Sequence, residues 1–191
     1  RMDPKVPLVV PEVNPEDIKL WRESGIIANP NCSTIQMVMS LKPLDELYGI
    51  KRVDVSTYQA VSGAGKTGME ELVKQMQAFF TFKLDEAEVK AFPHQIALNV
   101  IPQIDVATDN GFTKEEMKMV KETQKIMHKE MQIAATCVRV PVLRSHSESI
   151  TITFGNNVDV DLEKVKDVLN NFENVEVIDD LANKKYPMPI I

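Results

Sequence analysis

Thr136-Cys137-Val138-Arg139-Val140-Pro141-Val142-Leu143-Arg144-Ser145-His146-Ser147-Glu148-Ser149-Ile150-Thr151-Ile152-Thr153-Phe154 is the stretch on which the fold class turns. Thr136 to Leu143 and Ser149 to Phe154 are both rich in β-branched residues, and no helical pattern separates them. Two strands in succession break the strict β-α-β alternation of a doubly wound parallel sheet. They are also close enough in sequence to pair with each other. The expected class is therefore α+β, a mixed, largely antiparallel sheet with helices on one face.

Upstream of this stretch, Thr113 to Lys129 reads as a helix, with Glu116 three residues after Thr113 as a capping box. Gln95 to Ile104 alternates through Ile96, Leu98 and Val100 and reads as a strand. Gly68 to Phe80 is helical, after the small-residue loop Ser62-Gly63-Ala64-Gly65. Arg52 to Gln59 places Val53, Val55 and Thr57 on one face of a strand. Ser33 to Leu47 reads as a helix that contains Pro43, and Pro15 to Glu23 as a helix between a first-turn proline and the stop at Gly25. Val6 to Val10 reads as a short strand between prolines. Downstream, Asp161 to Asn171 is an expected helix and Val175 to Ile178 a short strand. Apolar positions on both faces of several strands leave one face for a dimer interface.

The chain has 191 residues and a net charge of −6, from 28 acidic against 22 basic residues. That balance argues against a nucleic-acid or membrane-surface binder, which needs a basic face. No apolar run approaches the ~20 residues of a membrane span, and no signal peptide is seen. The two cysteines, Cys32 and Cys137, sit in no disulfide framework, so reduced thiols and a cytoplasmic setting are expected. The chain opens at Arg1-Met2-Asp3-Pro4 without an initiating Met, as a piece of a longer protein would.

Asn29-Pro30-Asn31-Cys32-Ser33-Thr34 sets Cys32 where a turn becomes a helix. Unpaired N–H groups and the partial positive charge there favour thiolate, which suits a nucleophile. The plainer reading is a small core residue. Arg139, Arg144 and His146 lie together at a strand end and loop. Arginine grips carboxylates through paired hydrogen bonds, and histidine moves protons near neutral pH. Alone, they read as outward-facing surface groups; beside Cys32, a Cys/His pair becomes a candidate. His94 and His128 are weaker candidates, and no spacing suggests a metal site. Ala60 to Thr67 fits a loosened phosphate loop between a strand and a helix, or simply a tight turn with close backbone approach. Glu115, Glu116 and Lys118 open the long helix, and spacing alone makes them an ordinary solvated first turn.

Taken together, three motifs resemble the aspartate-semialdehyde dehydrogenase family. They are Asn29 to Thr34, Ser56-Thr57-Tyr58-Gln59-Ala60-Val61-Ser62-Gly63-Ala64-Gly65, and Cys137-Val138-Arg139-Val140-Pro141 leading to His146-Ser147-Glu148. Arg1 to Asn14, ending Val9-Val10-Pro11-Glu12-Val13-Asn14, also fits. The resemblance implies NADP-dependent reductive dephosphorylation of β-aspartyl phosphate to aspartate β-semialdehyde, in the pathway to lysine, threonine, methionine and diaminopimelate. It implies Cys32 as the nucleophile that forms a thioester, His146 as the acid/base group and Gln59 as a substrate-orienting residue. Arg139 would hold the substrate α-carboxylate and Glu115 its amino group, with Glu116 as the other register. Lys118 and Arg1 would bind phosphate, Asn31 would contact substrate, and Ser62 and Gly63 would meet the cofactor. The family's Gly-rich nucleotide-binding fingerprint has no counterpart in this sequence. Residues 1–28 would then be a segment crossing from a nucleotide-binding domain. Residues 29–191 would be a catalytic and dimerisation domain like the C-terminal domain of glyceraldehyde-3-phosphate dehydrogenase, acting as a homodimer. Most of the NADP site would lie outside this chain. Two other readings stay open: an N-acetyl-glutamyl-phosphate reductase-like enzyme, and a dimerisation module inactive by itself. A charge-paired amino group at Glu115 favours the aspartyl substrate, because an acetylated nitrogen carries no charge.

Overall fold

The computed structural model describes residues 1–156 and 158–189. The described helices are α1 (Trp21–Ser24), α2 (Cys32–Tyr48), α3 (Gly65–Phe80), α4 (Lys114–Ile126) and α5 (Leu162–Asn170). The strands are β1 (Ile50–Gln59), β2 (Gln132–Arg139) and β3 (His146–Phe154), in the sheet order β2-β1-β3. The fold is α+β.

The two successive strands do not pair with each other, contrary to the expectation from their closeness in sequence. β1 lies between them. The Val140 N–H donates to the Gln59 carbonyl (3.0 Å), so the C-terminal ends of β1 and β2 coincide and this pair is parallel. The Ala60 N–H donates to His146 at the start of β3 (2.9 Å), so that pair is antiparallel. The sheet is therefore mixed. A parallel pair needs a long crossover, and the chain between β1 and β2 supplies one through α3 and α4.

Two compact units divide the chain. The first comprises Arg1–Val55, Glu116–Ala135 and Ile150–Pro187; the second is chiefly Ser56–Glu115 with Thr136–Ser149.

The first unit buries Leu8, Val10, Met37, Val38, Leu41, Val53, Met119 and Ile126. Helix α2 starts at Asn31, whose side-chain oxygen accepts from the Ser33 and Thr34 N–H groups (3.0 and 3.2 Å). It runs through Pro43 to Gly49, where φ is 71°. Asp161 caps α5 through Glu163 and Lys164, and its own N–H donates to the Tyr48 hydroxyl (3.0 Å). Tyr48 also meets Phe154 edge-on at 5.2 Å. Pro15 to Glu23 is a 3-10 turn, Pro15–Leu20, running into α1, which ends on left-handed Gly25. Val6 to Val10 forms only one bridge, Leu8 to Ala28. The Asn14 side chain takes the place of a strand partner, accepting from the Val10 N–H (2.8 Å) and donating to the Leu8 carbonyl (2.9 Å). Val175 to Ile178 is not a strand either; the Val177 N–H donates to the Asn170 side chain (3.1 Å).

The second unit packs Val61, Leu72, Phe92, Ile96, Ala97 and Ile101 into one cluster, flanked by Met69 and Met76. Gln95 to Ile104 is not a strand, because α3 satisfies its backbone. The buried Gln75 side-chain oxygen accepts from both the Ile96 and Ala97 N–H groups at 3.0 Å. Glu71 accepts from Lys90 and Ala91 (2.9 and 2.5 Å). One bridge joins Ile101 to Arg139. Two hydrophilic residues one turn apart on α3 thus hold a long irregular segment that no sheet ladder holds. Gly68 has no room for a side chain: a Cβ there would lie 2.7 Å from the Val61 carbonyl oxygen and 3.0 Å from the Phe92 ring.

Candidate functional site

In the second unit, the residue after β1 anchors two polar side chains through its backbone. The Ala60 N–H donates to His146 Nδ1 (2.9 Å), and the Ala60 carbonyl accepts from Arg139 Nη1 (2.7 Å). Gln59, one residue earlier and 1% exposed, is held at both ends. Its Oε1 accepts from the Thr57 hydroxyl (2.9 Å) and its Nε2 donates to Glu115 Oε1 (3.1 Å). The alternation that buries Val53 and Val55 also buries Thr57 and Gln59, so a strand end delivers the carboxamide inward. Glu115, the second residue of α4, is buried and not part of a solvated first turn.

Arg139 ends β2 and is 7% exposed, with its guanidinium 5.8 Å from the Phe92 ring centre. Backbone pairing with Ile101 in both directions (2.9 Å each) fixes where that side chain begins. His146 opens β3 after Ser145, whose φ of 70° turns the chain. A non-glycine residue rarely takes that conformation, and here it aims the ring at Ala60. Burial pushes the His146 pKa down, and the Arg139 charge adds to this; the Ser145 backbone hydrogen bond and Glu115 oppose it. Because Nδ1 accepts an N–H, the neutral ring carries its proton on Nε2.

Ser62 and Gly63 lie in the 3-10 turn Val61–Ala64, beside this cluster. The turn is tied down by Val61 N–H to the Val142 carbonyl (2.9 Å) and Ser62 N–H to the Leu143 carbonyl (3.1 Å). A Cβ on Gly63 would sit 2.7 Å from Arg139 Nη1 and 3.3 Å from His146 Nε2. Of the two sequence readings of this loop, close backbone approach is the one the geometry bears out. Lys66, which a phosphate loop would aim at a ligand, is 85% exposed and pairs with Glu70 (3.6 Å).

In the first unit, Cys32 is the first residue of α2 and exposed, while Cys137 in β2 is buried. Asn31 caps that helix with its side chain, and its own N–H donates to Glu122 Oε2 (2.6 Å). Arg1 Nη1 lies 3.5 Å from the other oxygen of the same carboxylate. Lys118 is on α4. Among the described residues the sequence reading missed Glu122, which is 1% exposed. A signal was present: Glu115, Met119, Glu122 and Ile126 recur at helical spacing on α4, and all four are buried. Two carboxylates on the inward stripe of a helix need partners. One acid-rich group of ligand atoms, Glu16, Asp17 and His128, lies in this unit at the surface, with His128 on Asp17 at 3.0 Å. No helix among the described residues is long and apolar enough to cross a membrane.

The chain is 65% identical over all of its 191 residues to the aspartate-semialdehyde dehydrogenase of Campylobacter jejuni, and covers 55% of that protein. It is 55% identical to that of Aquifex aeolicus, covering 56% of it. The chain thus spans about half the length of the curated relatives it matches. The Vibrio cholerae aspartate-semialdehyde dehydrogenase II structure, complexed with ASA, superposes with a TM-score of 0.92 at 46% identity, over 98% of this chain and 54% of that one. A Candida albicans aspartate-semialdehyde dehydrogenase structure with NADP gives a TM-score of 0.61 at 32% identity, over 88% and 45%. The family model for the semialdehyde dehydrogenase dimerisation domain matches residues 41–191, and the chain belongs to that family.

Proposed function

We propose that this chain is the catalytic and dimerisation part of an aspartate-semialdehyde dehydrogenase, a cytoplasmic enzyme of amino-acid biosynthesis. The observation that carries the reading is the cluster of Gln59, Glu115, Arg139 and His146 around Ala60, in a chain 65% identical throughout to such an enzyme. Residues 1–28 enter from a nucleotide-binding domain and residues 29–191 form the catalytic domain, which pairs with a second copy.

Cys32 Sγ attacks the acyl carbon of β-aspartyl phosphate, the carbon–oxygen bond to phosphate breaks, and a thioester remains. The exposed position at the start of α2 supports this role, because helix N–H groups there favour the thiolate and the developing oxyanion. Arg139 binds the α-carboxylate. Its hydrogen bond to Ala60 and the Phe92 face hold the guanidinium in one orientation, which a paired carboxylate contact requires. Glu115 receives the α-amino group, and Gln59, hydrogen-bonded to Glu115, orients the substrate. Arg1 and Lys118 take the phosphate, and Asn31 shapes the turn that carries Cys32.

His146 presents a proton. With Nδ1 occupied by the Ala60 N–H, its Nε2–H is a donor, and acting as a base would need the ring to surrender that bond. The geometry therefore supports His146 as a donor to substrate oxygen, with the Cys32 thiolate drawn from the helix terminus. Ser62 and the exposed, side-chain-free Cα of Gly63 beside His146 fit the approach of a flat nicotinamide ring. When bound, NADPH supplies hydride to the thioester. The greater part of its site belongs to the remaining length of the relatives.

Incubation with β-aspartyl phosphate and intact-mass measurement tests the reading. A hydroxylamine-labile acyl adduct on Cys32, absent from Cys32→Ala, is expected. Acylation of Cys137 alone, or of neither thiol in the chain joined to its nucleotide-binding domain, would overturn it.

A further inference from the structure

We infer that Glu122 is a positioning residue: its buried carboxylate holds the Arg1 guanidinium against the turn that carries Cys32. The inference rests on the proposed role of Arg1 in binding phosphate. Glu122 Oε2 accepts the Asn31 N–H at 2.6 Å, a short, charge-assisted bond. Its Oε1 is buried and accepts no hydrogen bond; the nearest charge on it is Arg1 Nη1 at 3.5 Å. One carboxylate, 1% exposed, therefore links an anion-binding candidate to the N-cap of the cysteine helix.

The backbone around Arg1 is secured from the same helix. Lys125, three residues on in α4, donates from Nζ to the Arg1, Asp3 and Val6 carbonyls at 2.8 Å each. Those contacts use all the N–H donors of the ammonium. Lys125 fixes the backbone of residues 1–6, and Glu122 then selects where the flexible guanidinium points. A dianionic phosphate would meet an arginine already held, so less rotamer freedom is lost on binding. The Arg1 side chain is 44% exposed, so one side of the guanidinium is open to such a ligand.

The probe is inorganic phosphate, and the readout is protection of Cys32 from iodoacetamide. Glu122→Gln is the informative variant, because the amide oxygen still accepts the Asn31 N–H while the charge facing Arg1 is gone. The phosphate concentration giving half-protection is expected to rise about tenfold in Arg1→Met and several-fold in Glu122→Gln, the scale of one lost charge-assisted contact. Arg1→Met/Glu122→Gln should lose no more protection than Arg1→Met alone, each variant being assayed well below its own unfolding midpoint. A merely structural Glu122 would instead give losses that add. Additive losses, or protection that depends on Arg1 and ignores Glu122, sink the positioning role and leave the anion site intact. Protection that ignores Arg1 removes that site and the role together. Lys125→Met serves as the second variant: loosening of residues 1–6, read as faster amide exchange, should weaken protection in the same non-additive way.

Discussion

Gly63→Ala should perturb Arg139 and His146 without touching either chemically. The new Cβ would lie 2.7 Å from Arg139 Nη1, well inside the ~3.5 Å at which such atoms rest. Something must move by roughly half an ångström or more. The turn cannot easily do so, since Val61 and Ser62 are hydrogen-bonded to Val142 and Leu143 and the Gly63 N–H donates to Ala60 (3.1 Å). The guanidinium is the movable partner, but withdrawing it breaks its 2.7 Å bond to the Ala60 carbonyl. A buried charged hydrogen bond is worth about 1.5–3 kcal/mol, and overpacking costs about 1–3 kcal/mol when the neighbour does not yield. Replacing glycine returns about 0.4–1 kcal/mol through the unfolded chain. The net expectation is a loss of about 1–3 kcal/mol, read by urea unfolding, or a fall in Tm of about 2–4 °C per kcal/mol. Gly155→Ala is the control, since a Cβ there meets nothing within 4 Å, and it should stay within about 0.5 kcal/mol of the parent. In an Arg139→Ala background Gly63→Ala should become nearly neutral, because the clash partner is gone. Equal costs in both backgrounds, or no cost in either, would refute the claim that Arg139 presses on this turn.

Three further outcomes concern the same unit. The His146 ring, titrated by NMR, should have its midpoint below the ordinary 6.5, lower still in Glu115→Gln and higher in Arg139→Met; a midpoint at or above 6.5 would contradict the burial of the ring. Because the unfolded chain takes up that proton first as pH falls, the neutral ring's stabilising contribution is complete above 6.5 and is lost on acidification towards the lower folded value. Gln75→Met should cost about 2–4 kcal/mol by orphaning the Ile96 and Ala97 N–H groups, and should speed amide exchange at those two residues; unchanged exchange would mean that the segment is held by other contacts.

What could be read from the sequence follows from what kind of force sets each element. Where a strand or helix is fixed by its own periodicity, the reading holds. Val53, Val55 and Thr57 do alternate inward, a helix does follow Asp161 and another does begin at Cys32, and the turn after Gln59 is tight because Gly63 must be bare. Where distant side chains replace a ladder, alternation misleads. Gln95 to Ile104 has a strand's pattern, but its N–H groups go to Gln75, some twenty residues earlier, and Val6 to Val10 is completed by Asn14. The order β2-β1-β3 was illegible for a related reason. Closeness in sequence favours a hairpin, whereas the parallel pairing of β1 with β2 depends on the long crossover between them.

The candidate site divides along the same line. Cys32 stands out as a candidate through a turn and a helix start, both local in sequence. Gln59, Arg139 and His146 become a group only because three strand ends meet at the backbone of Ala60, whose own side chain reveals nothing. Glu122 lies between these cases. Its place on the inward stripe of α4 marks it as a carboxylate in need of partners, but only the fold says that they are Asn31 and Arg1. Under the inference drawn above, this buried acid of the first unit is a positioning group for Arg1, which distinguishes it from a tolerated charge. A tolerated charge could be removed at small cost, whereas this one joins two residues that the proposed chemistry needs together.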